Sequence, residues 1–257
     1  MIVTITGAYR NVGDHLIGHR ARALLKEFVD PEIININRNN IGDAEYDIMN
    51  KADAVILCGG PAYQKAIYPK IYPIELERIN VPVIPMGLGW KSQLNQTPAS
   101  FKFTESSKDF IKAIHGKIAH SSVRDVLTKQ VINNNGIENV LMTGCPAWYD
   151  LEYFDKNYEF SREFKQIVVS LPAKYHEQVP ILLRYLKSRF PDAKHIITFH
   201  HGFWTRLTTS GLYSFFNFAK MAVVGKRYGY SIVDQRWSQK FGQCVKLLFM
   251  TKGGSLI

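Results

Sequence analysis

The chain has 257 residues, room for one large domain or two modest ones, and its 46% hydrophobic and 21% charged content is ordinary for a soluble globular protein. A net charge of +10, from 32 Lys and Arg against 22 Asp and Glu, favours an anionic partner. The cations are scattered (Lys26, Arg38, Lys70, Arg124, Lys187, Arg227) with no dense basic block, which excludes the usual nucleic-acid footprint and leaves a small anionic substrate, free or carried on a membrane lipid.

No run approaches the ~20 apolar residues of a membrane span, and Ile2 to Ile5 is too short for a signal-peptide core. Cys58, Cys145 and Cys244 are far apart and form no C-x-x-C pair, so neither a disulfide framework nor a zinc site is expected. The expected compartment is the cytoplasm.

Apolar runs of strand length occur at Ile2–Thr6, Ile33–Ile36, Ala54–Cys58, Val81–Met86, Lys117–His120 and Val140–Met142. Helical spacing appears between them at Leu16/Ala23/Leu24/Phe28, Ile71/Ile74/Leu76/Ile79 and Val126/Leu127/Val131/Ile132. This alternation predicts an α/β domain with a mainly parallel sheet over 1–150. The aromatic-rich stretch Ala147–Phe164 reads as an interdomain connection. A second alternation over 165–257 follows: strand Gln166–Leu171, helix Glu177–Phe190, strand Lys194–His200, helix Leu212–Arg227 and short strand Tyr230–Val233. Lys240–Ile257 matches no element, so this second domain reads as partial.

Glycine and polar residues gather where the predicted strands of the first domain end, and ligands of parallel α/β sheets gather there too. The first such loop runs Gly7-Ala-Tyr-Arg-Asn11-Val-Gly13-Asp14. It lacks G-x-G-x-x-G and the phosphate-loop pattern, but a strand, a loop and a helix N-terminus in that order suit an anion. Asp14 has two readings: cap of a helix starting at His15, or cap together with ligand contact by Asn11 or the loop N–H groups. Gly59-Gly60 and Gly87-x-Gly89 permit either close backbone approach or ligand access.

In Ser121-Ser122-Val-Arg124-Asp125 the guanidinium of Arg124 is suited to bidentate carboxylate or phosphate recognition. The simpler reading is an Arg124–Asp125 surface pair with Asp125 capping the next helix. His200-His201 follows a strand of the second domain and could donate to an anion or move a proton, or be mere loop decoration; no third ligand nearby suggests a metal.

Taken together these segments resemble the polysaccharide pyruvyl transferase family. Its opening G-N-x-G-D-x-x-I is matched by Arg10-Asn11-Val-Gly13-Asp14-His-Leu-Ile17, and its D-x-x-I-x-G-G-G by Asp53-Ala-Val-Ile56-Leu-Cys-Gly59-Gly60-Pro61, with one glycine replaced. P-x-x-x-x-G-x-G is matched by Pro82-Val-Ile-Pro-Met-Gly87-Leu-Gly89, and S-x-R-D/E by Ser122-Val-Arg124-Asp125. G-D-P-A is matched by Gly144-Cys145-Pro146-Ala147, with Cys in the acidic position.

The resemblance implies two Rossmann-like domains facing a cleft in a GT-B-like arrangement. It implies transfer of pyruvate from phosphoenolpyruvate to sugar hydroxyls, forming a ketal on an exopolysaccharide, a cell-surface glycan or its lipid-linked precursor. Phosphoenolpyruvate is then a donor substrate and no cofactor is expected. On this basis Arg124 grips the donor, with His200 or His201 contacting it from the other domain. Asn11, Gly13, Asp14, Gly59, Gly60, Gly87, Gly89 and Ser122 line the substrate cleft. The family's late R-x-H segment has no match after Asp234, where Gln-Arg236-Trp-Ser-Gln stands, so the second domain is expected to be shortened. The alternatives are a GT-B glycosyltransferase using a nucleotide-sugar, or a truncated binding module without catalysis. Positive charge adds the expectation of peripheral contact with an anionic membrane.

Overall fold

The computed structural model describes residues 1–7, 12–92, 95–157, 163–171, 176–199 and 211–233. The chain is a mixed α/β protein whose described strands all pair in parallel. It forms two compact units, Met1–Lys156 and Asn157–Ile257.

In the first unit β1 (Ile2–Thr6), β2 (Ile33–Asn37), β3 (Ala54–Cys58) and β4 (Val83–Met86) form a sheet in the order β2-β1-β3-β4. A parallel bridge from Leu88 to Val123 joins it to the pair β5 (Ser121–Val123) and β6 (Val140–Met142). Near-continuous apolar strands are what a sheet covered on both faces requires. Ile2, Ile56 and Cys58 pack with Ala21 of α1 (Val12–Val29). Val3, Ile5, Val55 and Leu57 belong to the larger core, with Tyr46 and Met49 of α2 (Asp43–Asn50) and Phe110, Ile111 and Ile114 of α3 (Glu105–His115). Val131 and Ile132 of α4 (Val126–Asn133) extend that core beneath Val123 and Val140.

Three expectations are corrected. Helix α1 begins at Val12, so Asp14 is its third residue and does not cap a helix starting at His15; a carboxylate there meets the positive end of the helix dipole. The strand expected at Lys117–His120 lies at Ser121–Val123. Lys117, Ala119 and His120 are exposed, whereas Ser121 and Val123 are buried. The helix expected over Ile71–Ile79 is absent apart from one 3-10 turn, Leu76–Arg78. Pro69 and Pro73 interrupt the pattern, each removing a backbone donor and crowding the preceding turn. Tyr72, Ile74 and Ile79 are buried because the connection packs on the sheet, and their spacing is therefore not helical in origin.

Two helices lacked a sequence expectation. In α3, Thr104 caps the N-terminus by accepting from the Ser107 N–H at 3.3 Å, and the Phe110/Ile111/Ile114 stripe faces the core. In α2, the Glu45 carboxylate accepts from the Gly42 N–H at 2.8 Å.

The second unit contains β7 (Gln166–Leu171), α5 (Val179–Arg189), β8 (Lys194–Phe199), α6 (Gly211–Arg227) and β9 (Ser231–Val233). Its sheet order is β7-β8-β9. Val169, Leu171, Val179, Leu183, Ile197, Met221 and Tyr230 form its core, and the Tyr230 hydroxyl donates to the Leu183 carbonyl at 2.9 Å. A Cβ on Gly225 would stand 2.2 Å from Ile197 Cδ1, so glycine there leaves the terminal methyl of Ile197 its place between α6 and β8. No helix among the described residues is long and apolar enough to cross a membrane.

Candidate functional site

The order β2-β1-β3 reverses direction at β1, which puts a topological switch point between the carboxyl ends of β1 and β3. Continuing the registers Ile5↔Leu57 and Cys58↔Met86 by a step or two sets Gly7, Gly59 and Gly87 in one row across this edge. The first turn of α1 stands over it, with Asp14 Oδ1 3.7 Å from where a Cβ on Gly60 would lie.

The segments singled out in the sequence pack on one another here. A Cβ on Gly59 (φ +50°) would fall 2.1 Å from Ile17 Cγ2 and 3.7 Å from Pro146 Cδ. A Cβ on Gly87 (φ +64°) would fall 2.4 Å from Pro146 Cδ and 3.0 Å from the Gly144 carbonyl. Ser122 Oγ accepts from the Gly87 N–H at 2.8 Å. Helix α1 is tied down further by a forked ion pair: Arg20 Nη1 donates to Asp150 Oδ1 at 2.8 Å, and Nη2 to Oδ2. The glycines at 59 and 87 thus serve packing of Ile17 and Pro146, while Gly60 faces Asp14 with little else near it.

Arg124 leaves the end of β5 and lies across Gly89, where a Cβ would stand 1.9 Å from its Nε. Its Nη2 donates to the Trp90 carbonyl at 3.2 Å and its Nε to Asp125 Oδ2 at 3.2 Å. Asp125 Oδ1 accepts from the Thr128 N–H at 2.7 Å and the Thr128 hydroxyl at 2.8 Å, while the hydroxyl oxygen accepts from the Trp90 N–H at 2.8 Å. The pairing and capping roles expected of Asp125 are both present. Arg124 nonetheless keeps both Nη1 hydrogens and one on Nη2 without a partner among the described residues, and its side chain is 31% exposed. A fixed guanidinium with free donors at a strand end can bind a carboxylate or phosphate.

Cys145 occupies the turn between Gly144 and Pro146, near enough to Arg124 and Asp14 to feel both charges. Burial pushes its thiol up, the Ala147 backbone and Arg124 pull it down less strongly, and Asp14 adds to the rise. It is therefore a neutral thiol at pH 7 where the family pattern has a carboxylate. Cys58 is buried at the end of β3, and burial pushes it up to about 12.

Sequence reasoning missed Arg38 as a member of this edge. It follows β2, and a Cβ on Gly7 would stand 2.3 Å from its Cζ. The guanidinium also lies 5.8 Å from the ring centroid of the buried Tyr72. Polarity at the end of β2 was the available signal, since Arg38-Asn39-Asn40 follows an apolar run. Of the other expected site residues, Gly13 lies in the first turn of α1, whereas Asn11, His200 and His201 lie outside the described residues. No three His, Cys, Asp or Glu side chains are grouped as a metal site would need among the described residues.

A parallel α/β sheet with glycines at its strand ends and a switch point places the chain in the class of Rossmann-like α/β proteins, in which the carboxyl edge of the sheet is the usual ligand position. Residues 11–178 match the family model described as polysaccharide pyruvyl transferase. The chain belongs to that family, a family of transferases. No curated protein matches it. Among solved structures it is similar to a periplasmic sugar binding protein of an ABC sugar transporter from Legionella pneumophila, at 10% identity over 98% of this chain and 95% of that one, with a TM-score of 0.24.

Proposed function

We propose that the chain transfers pyruvate from phosphoenolpyruvate to two hydroxyls of a sugar, forming a cyclic ketal on an exopolysaccharide or cell-surface glycan, or on a lipid-linked precursor of one. The observation that carries this reading is the convergence of five family segments on one sheet edge, with the free donors of Arg124 at its rim. In the reaction the donor's methylene carbon takes a proton and becomes a methyl group. Two sugar oxygens bond to the adjacent carbon, its bond to the phosphate oxygen breaks, and the two hydroxyl protons balance the methyl group and the released phosphate.

Such chemistry needs cations for the donor's carboxylate and phosphate, a proton donor, and a polar group at the attacking hydroxyl. Arg124 is assigned to the donor. Asn11, Gly13, Asp14, Gly59, Gly60, Gly87, Gly89 and Ser122 shape the cleft, directly or by holding its wall. His200 or His201 would reach the donor from the second unit, in the GT-B-like pairing of two Rossmann-like domains. A cytoplasmic site of action with peripheral contact to an anionic membrane suits a lipid-linked acceptor and the net charge of +10.

The test is phosphate release from phosphoenolpyruvate by the full chain, with and without lipid-linked oligosaccharide. Acceptor-dependent release, with one ketal formed per phosphate, is the expected result. Release no faster than spontaneous hydrolysis across acceptors overturns the assignment.

A further inference from the structure

The carboxyl edge of the first sheet carries a second guanidinium, and its setting differs from that of Arg124. Arg124 shares its charge with Asp125. Arg38 is seated on Gly7 and hydrogen-bonds the hydroxyl of the buried Tyr72, and among the described residues no carboxylate forms an ion pair with it. Placing a half-buried cation without an anion costs desolvation that a bound anion recovers. Tyr72 is buried, and its hydroxyl lies close enough to sense Arg38, Cys58 and Asp14, which puts this cation beside the switch point and not on the outer surface.

The two cations share the carboxyl edge of one sheet, Arg38 seated on Gly7 after β1 and Arg124 on Gly89 after β4. Phosphoenolpyruvate carries its carboxylate directly on one carbon and its phosphate on that same carbon through an ester oxygen, so two cations at one edge can each take one of the groups.

Resting on the phosphoenolpyruvate reading, we propose that Arg38 is the second anion-binding residue of the crevice and takes the donor's phosphate, while Arg124 takes its carboxylate. The charges divide accordingly: Arg38, held by a neutral phenol, faces the group with nearly two negative charges, and Arg124, partly neutralised by Asp125, faces the group with one.

Titration of inorganic phosphate, pyruvate and phosphoenolpyruvate into the full chain and its Arg38→Gln and Arg124→Gln variants tests this, with thermal denaturation confirming that each variant is folded. Arg38→Gln is expected to weaken phosphate and phosphoenolpyruvate by roughly 10–100-fold and leave pyruvate unchanged. Arg124→Gln is expected to weaken pyruvate and phosphoenolpyruvate and leave phosphate unchanged. Phosphate binding by Arg38→Gln equal to that of the parent, or no phosphate binding by the parent, overturns the proposal. Arg38-dependent phosphate binding in a chain that never turns over phosphoenolpyruvate supports the anion site and removes the donor assignment.

Discussion

Arg124→Ala is expected to lower kcat/KM for phosphoenolpyruvate by roughly 10²–10³-fold, the usual cost of removing a preorganised donor from a developing or bound anion. The preorganisation is visible in the geometry. Gly89 gives the side chain a flat bed, the Trp90 carbonyl holds Nη2, and Asp125 holds Nε while its other oxygen caps α4. Three N–H groups are then left for a ligand. Lysine retains the charge but not the fork, so Arg124→Lys is expected to recover only a small part of the loss. Steady-state kinetics over a donor series, beside melting curves, separates this from unfolding: the melting temperature should move little, because a guanidinium that is 31% exposed contributes modestly to the core. A variant with parental kcat/KM would remove Arg124 from the donor site.

Gly87→Ala is expected to destabilise the first unit by about 2–4 kcal/mol, through two separable causes. A Cβ at φ +64° costs about 1 kcal/mol in backbone strain. Contact at 2.4 Å with Pro146 Cδ and 3.0 Å with the Gly144 carbonyl adds an overpacking cost of about 1–3 kcal/mol or more, because ring and backbone atoms cannot swing aside. Gly136→Ala is the internal control. It has φ +81° with nothing within 4 Å, so it should cost only the strain. Urea denaturation of the two variants should show the larger loss at 87. Equal losses would mean that Pro146 does not pack on this edge as described.

The same contacts explain how far the sequence could be read. Strands β1, β3 and β7 were legible to the residue, since each is a near-continuous apolar run ended by a glycine or proline. Strand β5 was displaced because its three residues include two serines, one of which serves the Gly87 N–H through its hydroxyl. Hydrophobic periodicity is blind to a strand held in place that way. It was also misled at Ile71–Ile79, where apolar residues at helical spacing belong to a proline-broken connection covering the core.

For the candidate site, strand-end glycines marked the carboxyl edge of the sheet, but they did not reveal what each one packs against. Gly59 makes room for Ile17 and Gly87 for Pro146, and both partners lie far away in the chain, where no local pattern could name them. Arg38 was passed over for a related reason. Its importance arises from reaching across Gly7 to lie beside Tyr72, a contact between three loops that becomes visible only once β2 and β1 are paired in register.

The most direct test of a phosphoenolpyruvate crevice is thermal denaturation of the full chain with phosphoenolpyruvate, UDP-sugars or GDP-sugars added singly. A ligand at about 100 times its dissociation constant stabilises the native state by about 2.7 kcal/mol. For a unit of this size that corresponds to a rise in melting temperature of roughly 5–10 °C. Phosphoenolpyruvate is expected to give that rise and nucleotide-sugars none; a rise with a nucleotide-sugar and none with phosphoenolpyruvate would contradict the pyruvyl transfer assigned to this fold.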